Sequence, residues 1–252
     1  MLHLNHSMRN TCSVAAVFFV IACTQVAWAD EILVSAAASL SDVLKEISGG
    51  YQAKPKHTVK FNFGPSSGLA RQIEEGAPAD LPQMDALDKK ERLEPGTRKN
   101  LLSNQLVIIV PADSKLAISS PKDLLKGDIK RIALAQPSSV PVGVYSSKYL
   151  SDEGLWNQVK PKVVPVQDVR ATLASVESGN VEAGFVYKTD AAVSKKVKTV
   201  YEVPIDKGPK IIYPAAIVKE SKRKDAARDF MNYVQSPAAK AAFKRYGFVV
   251  LD

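Results

Sequence analysis

Apolar and polar positions along this chain follow two different periods. "EILVSAAA" (31–38) is an unbroken apolar run of strand length, and "HTVKFNFG" (57–64) sets Val59, Phe61 and Phe63 against Thr58, Lys60 and Asn62, the period of two that a half-buried strand requires. "SLSDVLKEISGGYQ" and "SSGLARQIEEG" instead repeat apolar residues every three to four positions, which predicts helices, the first stopped at Gly49-Gly50 and the second at Gly76. The alternation continues. "NQLVIIVP" and "IKRIALAQ" read as strands around a short helix "PKDLLK"; "PVGVYSSKYLSDEG" reads as a helix, "PKVVPVQ" as a strand and "DVRATLASVESGN" as a helix. "VEAGFVY", "VKTVYEVP" and "IIYPAAIVKES" are extended, and "RKDAARDFMNYVQSPAAKAAFKRYG" is a helical pair broken at Pro237. Strands alternating with helices predict an α/β protein with mostly parallel strands.

Two of the extended runs, "LVIIVPADS" and "IIYPAAIVK", contain a proline, which a central strand tolerates poorly. Strands that leave one sheet and enter another fit that composition. Two such crossings predict a discontinuous first lobe (30–109 and 212–252) and an inserted second lobe (110–211), with a cleft between them.

Residues 1–29 stand apart from this pattern. Arg9 precedes an apolar stretch from Val14 to Cys23, and Ala27-Trp28-Ala29 forms a small-residue cleavage site, the layout of an export signal. The apolar stretch is shorter than the roughly 20 residues of a membrane span. An alternative reading cleaves before Cys23 and leaves that cysteine lipid-anchored. Removing 29 of the 252 residues leaves 223, with neither cysteine, one histidine (His57), and 33 basic against 26 acidic residues. A basic surplus favours anionic partners without naming one. The positive residues are spread out, as in "DKKERLEPGTRK", without interleaved aromatics, so they read as solvated surface and not as a nucleic-acid footprint.

Much chemistry is excluded by what the exported chain lacks. It has no Cys/His set for zinc, no G-x-S-x-G nucleophile turn, no G-x-x-x-x-G-K-[ST] loop and no G-x-G-x-x-G. Glu74-Glu75 share a helix with Arg71 and read as a solvated face. What recurs is a type of junction: "AAASLSD" (36–42), "GPSSGLA" (64–70), "PSSVPVG" (137–143) and "VQDVRATL" (166–173) each place small or capping residues where a helix begins. A helix start leaves about four amides unbonded and carries roughly half a positive charge. Converging starts would bind an anion without a buried cation. Ser39 and Ser66 would add hydroxyls, Pro141 at the first helical position would leave the Val142 and Gly143 amides facing out, and Asp168 would cap its helix and leave the Val169 amide to donate. Helix capping alone accounts for any one of these junctions equally well.

"AAASL", "SSGLARQIEEGAPADL", "LLSNQLVIIVP", "SSVPVGVY", "VRATLASVESGNVEAGFVYKTDA" and "AAFKRYGF", in this order from about residue 31 to the C-terminus, resemble the periplasmic molybdate-binding proteins of ABC transporters. The resemblance implies a type II periplasmic binding fold, two α/β lobes closing on one oxyanion, in a monomer without catalysis or cofactor. It implies molybdate or tungstate as ligand, delivery to a membrane permease, and a periplasmic location. Its ligand contacts carry over to Ser39, Ser66, Val142, Val169 and Tyr187. Val142 stands where relatives often have alanine, a change that a backbone donor tolerates. Tyr187 enters only through the resemblance; its position otherwise reads as core or interface. A receptor for another tetrahedral anion, such as sulfate or phosphate, is the alternative. The chain departs from the family after "GAPAD": an apolar strand of the kind "LFxSAD" is expected, and "LPQMDALDKK" reaches Pro82 after one leucine, which predicts a short, weakened strand in the interior of the first sheet.

Overall fold

A computed structural model describes residues 30–52, 57–84 and 92–251. The expected export signal and Cys23 lie outside the described residues. Strands β1 (Asp30–Ala37), β2 (His57–Gly64), β3 (Leu81–Gln83), β4 (Lys99–Asn104), β10 (Ile211–Ala215) and β11 (Val249–Val250) form one sheet in the order β11-β4-β10-β3-β1-β2. Strands β5 (Leu106–Pro111), β6 (Ile132–Ala135), β7 (Val163–Val166), β8 (Ala183–Tyr187) and β9 (Val197–Glu202) form a second, in the order β7-β6-β8-β5-β9. Helices α1 (Ser41–Gln52), α2 (Ser66–Glu74), α7 (Lys224–Tyr233) and α8 (Pro237–Arg245) accompany the first sheet; α3 (Pro141–Asp152), α4 (Trp156–Val159), α5 (Val169–Glu177) and α6 (Lys188–Ala192) accompany the second. The apolar runs are the sheet interiors: every residue of β6 and β8 is buried, as are Leu106 to Val110 of β5.

Both sheets are mixed, which corrects the expectation of mostly parallel strands. β1 runs parallel to β2 and β3, and β6 to β7 and β8, but β4, β10, β11, β5 and β9 pair antiparallel. The reason is the passage between sheets. β4 leads into β5 through the single residue Gln105, with no crossover helix to return the chain in a parallel sense. The change of sheet therefore falls at Gln105, earlier than the expected 109/110, and the return falls between Glu202 and Ile211. The prolines sit elsewhere: Pro111 ends β5, and Pro214 lies at a register shift against β4. The two passages are tied together, since Gln105 Nε2 donates to the Val203 carbonyl at 2.8 Å and Val203 N donates to the Leu106 carbonyl at 3.0 Å.

Gly49-Gly50 does not stop α1, which continues to Gln52. Tyr51 holds the extra turn: it is buried, meets the Phe230 ring edge-on at 5.0 Å, and donates its hydroxyl to Asp229 at 3.2 Å. Each interior glycine costs about 1 kcal/mol of helix propensity, which burial of an aromatic ring at about 1.5–3 kcal/mol offsets. A side chain at Gly50 would place its Cβ 2.7 Å from the Tyr233 hydroxyl, so α7 approaches α1 closely here and the tip of Tyr233 would have to shift to admit one.

β3 is only three residues long, as the prolines around it predict, yet it occupies the interior position between β1 and β10. Asp80 extends it. Its amide donates to the Leu33 carbonyl, its own carbonyl accepts from Val218, and its carboxylate accepts from the Leu33 amide at 2.8 Å and the Ser221 hydroxyl at 2.6 Å. Pro82 accepts from Ala216 through its carbonyl but has no amide to return, so the ladder loses one donor. Leu81 and Met84 are fully buried. So is Gln83, and among the described residues neither atom of its side-chain amide has a hydrogen-bond partner. A buried unsatisfied polar group costs about 1–3 kcal/mol. Gln83→Leu is therefore expected to raise the unfolding free energy by about 1–3 kcal/mol, seen as a higher urea midpoint at unchanged slope; an unchanged or lower midpoint would refute the assignment.

Candidate oxyanion site

The residues singled out at the four junctions come together at the ends of strands from both sheets. β1 ends at Ala37 and passes through a 3₁₀ turn (Ala38–Leu40) into α1, which places Ser39 at 3% exposure. The small side chains of Ala36, Ala37 and Ala38 let that turn pack tightly. β2 ends at Gly64, extended Pro65 follows, and Ser66 opens α2 at 3% exposure with no side-chain cap bond from Pro65. β6 leads through Gln136–Val140 to Pro141, the first residue of α3; Val140 cannot cap, so the amides of Val142 and Gly143 are not taken by the cap residue. Asp168 Oδ1 accepts from the Arg170 and Ala171 amides, both at 2.9 Å, and leaves the Val169 amide outside its cap, as expected. Tyr187 ends β8 and precedes α6, with its ring edge-on to Tyr213 at 6.0 Å.

These five residues, with Ala38, Gly64, Pro65, Pro141 and Asp168 among their neighbours, line one cavity of about 20 Å³. That is room for one compact occupant. The lining contains no lysine or arginine, and its single charged residue, Asp168, is occupied with its own helix. The positive ends of α2, α3 and α5 thus meet at the cavity with serine hydroxyls and a phenol beside them, an arrangement for binding an anion through neutral donors. Two larger clefts, of about 420 and 450 Å³, lie elsewhere on the first sheet's side. In the larger of these, cations face carboxylates, as in Lys60–Glu31 at 3.0 Å and Arg92–Glu220 at 3.7 Å, so their charge is locally balanced.

The structure adds residues that sequence reading missed. Tyr213, in β10, is fully buried; its hydroxyl lies 3.2 Å from Ser39 Oγ and accepts from Asn104 Nδ2 at 3.3 Å. Asn104 also donates to Thr189 Oγ1 at 2.9 Å. This chain runs from the Ser39 turn through β10 and the end of β4, beside the passage at Gln105, to the start of α6. The signal was faint: a tyrosine within "IIYPAA" and an asparagine ending "LLSN" look like ordinary strand residues. Beside it, Arg170 pairs with Asp42 at 2.6 Å and with Asp190 at 2.9 Å. Burial pushes the Asp190 carboxyl up to about 7, with Arg170 pulling the other way.

The family model of bacterial extracellular solute-binding proteins matches residues 32–249. A putative ABC transporter substrate-binding lipoprotein of Bacillus subtilis is 42% identical over 224 residues, covering 86% of this chain and 85% of that protein. The molybdate-binding protein ModA of Escherichia coli is 38% identical over 251 residues, covering 94% and 95%. Among solved structures, the substrate-binding domain of a putative molybdenum ABC transporter from Clostridium difficile aligns at TM-score 0.69 and 35% identity, over 89% of this chain and all of that one. The periplasmic molybdate-binding protein of Azotobacter vinelandii aligns at TM-score 0.78 over 88% of this chain and all of that one; at 24% identity it speaks to the fold alone. The match runs from the first strand to the last, and this chain belongs to the bacterial extracellular solute-binding proteins.

Proposed function

We propose that this protein captures molybdate, or tungstate, in the cavity between its two sheets and delivers it unchanged to the membrane permease of an ABC transporter. The observation that carries this reading is a small cavity lined by donors from both sheets and by no cation. A fully deprotonated dianion accepts at all of its oxygens and donates nothing, which suits a lining of neutral donors whose one carboxylate, Asp168, caps its own helix through Oδ1; hydrogen phosphate would bring a proton and need an acceptor. Ser39, Ser66 and Tyr187 donate through hydroxyls, and Val142 and Val169 through helix-start amides. Size then separates molybdate from sulfate. The two sheets with their helices act as two lobes joined at Gln105 and at residues 203–210, and an anion bridging them holds the lobes together. The protein works as a monomer in the periplasm after loss of residues 1–29. Cleavage before Cys23, which would leave a lipid anchor, is distinguished from this by the mass of the mature N-terminus.

Calorimetry of the purified protein is expected to show one molybdate or tungstate bound per chain, with sulfate and phosphate at least a hundredfold weaker. Equal binding of sulfate would overturn the molybdate reading in favour of a general oxyanion receptor. A ligand that binds only the folded state also raises stability by about 2.7 kcal/mol at a hundred times its Kd, so molybdate should raise the thermal midpoint and sulfate at the same concentration should not.

A further inference from the structure

The helix that offers the Val169 amide to the cavity carries, one residue on, a guanidinium that leaves its own unit. Arg170 starts from α5, beside the second sheet, and its Nη2 reaches Asp42 Oδ2 of α1, beside the first, at 2.6 Å. Its Nε lies 2.9 Å from Asp190 Oδ1 of α6. The three groups differ in surroundings. Asp190 is fully buried at the base, the Arg170 side chain is 26% exposed, and that of Asp42 is 42% exposed at the outer end; the contacts are ion pairs by distance, without hydrogen-bond alignment at Arg170 Nε, Asp42 Oδ2 or either Asp190 oxygen. α5 also packs against the turn that holds Ser39. Among the described residues the guanidinium thus pairs with Asp190 in its own unit and with Asp42 in the other, next to two of the five cavity residues.

We propose that Arg170 is a positioning residue that clamps the two lobes shut over the bound anion through Asp42, and so slows the anion's release. The inference rests on the oxyanion-receptor reading above. The geometry divides the labour. The cavity donors bind the ion and sense its charge and size. The Arg170–Asp42 pair touches neither cavity nor ligand; it is made when the start of α5 meets the start of α1, and broken when they part. Breaking the pair should therefore alter how long the ion stays and leave its capture rate unchanged.

Asp42 has a second role available, since an acidic residue in the first turn of α1 favours that helix start regardless of any partner. The experiment separates the two. The oxyanion that the wild type binds in calorimetry is loaded, and its release is timed by chase with unlabelled ion for wild type, Asp42→Asn, Arg170→Lys and the double variant. Lysine keeps one positive charge but cannot serve both carboxylates at once. Asp42→Asn is expected to speed release about fivefold, the scale of a partly exposed ion pair, with the association rate unchanged. In the double variant the asparagine should add nothing to the effect of lysine. Release at the wild-type rate in Asp42→Asn overturns the clamp while leaving the site intact. A full additional effect of asparagine in the double variant assigns Asp42 to its own helix and equally overturns it. If the wild type binds none of molybdate, tungstate, sulfate or phosphate, the receptor reading fails, and the clamp, having nothing to retain, fails with it.

Discussion

Gly143→Ala is expected to weaken molybdate binding by about a hundredfold or more, although glycine 143 offers the ligand no side chain. A Cβ at this position would lie 1.9 Å from the Ala135 carbonyl oxygen and 2.9 Å from that of Gln136. Both obstacles are backbone, at the end of β6 and in the turn that follows, so neither can swing aside as a flexible side chain would. The first turn of α3 has to move away from the sheet. That turn carries the Val142 and Gly143 amides, and a hydrogen bond to a charged acceptor is worth about 1.5–3 kcal/mol, so misplacing both removes at least about 3 kcal/mol, or two powers of ten in affinity. Forcing a methyl into a packed contact also costs about 1–3 kcal/mol of stability. Calorimetry and urea unfolding on the same sample read both effects. Binding within threefold of wild type would show that α3 does not supply donors to the anion.

Ser39→Ala and Ser66→Ala are expected to lower affinity about tenfold to a hundredfold each, whereas Val142→Ala should change it little. The serines lose their hydroxyl donors to a charged acceptor. Val142 keeps its amide, and its side chain is only 2% exposed, so truncation is felt chiefly as stability. Ser39 should be the more sensitive of the serines to its surroundings, since its hydroxyl also meets Tyr213, which Asn104 holds from the passage between the sheets. If Val142→Ala hurt binding more than Ser39→Ala, backbone and side-chain roles would have been assigned the wrong way round.

The sequence alone determined the class of the fold and the position of nearly every element, and it singled out the four junctions that carry four of the five proposed ligand contacts. These are local properties. Strand and helix periods at residues 57–64 and 169–177 follow from which side chains must be buried; Pro141 and Asp168 act within one turn of their own helix. The family's words added Tyr187, whose place at the end of an apolar strand carries no local sign of a ligand. Even the short β3 was legible, because a proline limits a strand whatever surrounds it. What only the tertiary structure decided is where distant segments meet. α1 continues through Gly49-Gly50 because Tyr51 finds Phe230 and Asp229, some 180 residues further along the chain. Strand direction depended on the passage at Gln105, a residue with no distinctive pattern. Asp80 extends the short β3 through its backbone and is held by Ser221, and Arg170 joins Asp42 to Asp190 across three helices. Hydrophobic period and capping are fixed by near neighbours, while pairing across the cleft depends on side chains far apart along the chain, as Asn104 and Thr189 or Asp42 and Arg170 are, and no local pattern encodes that proximity.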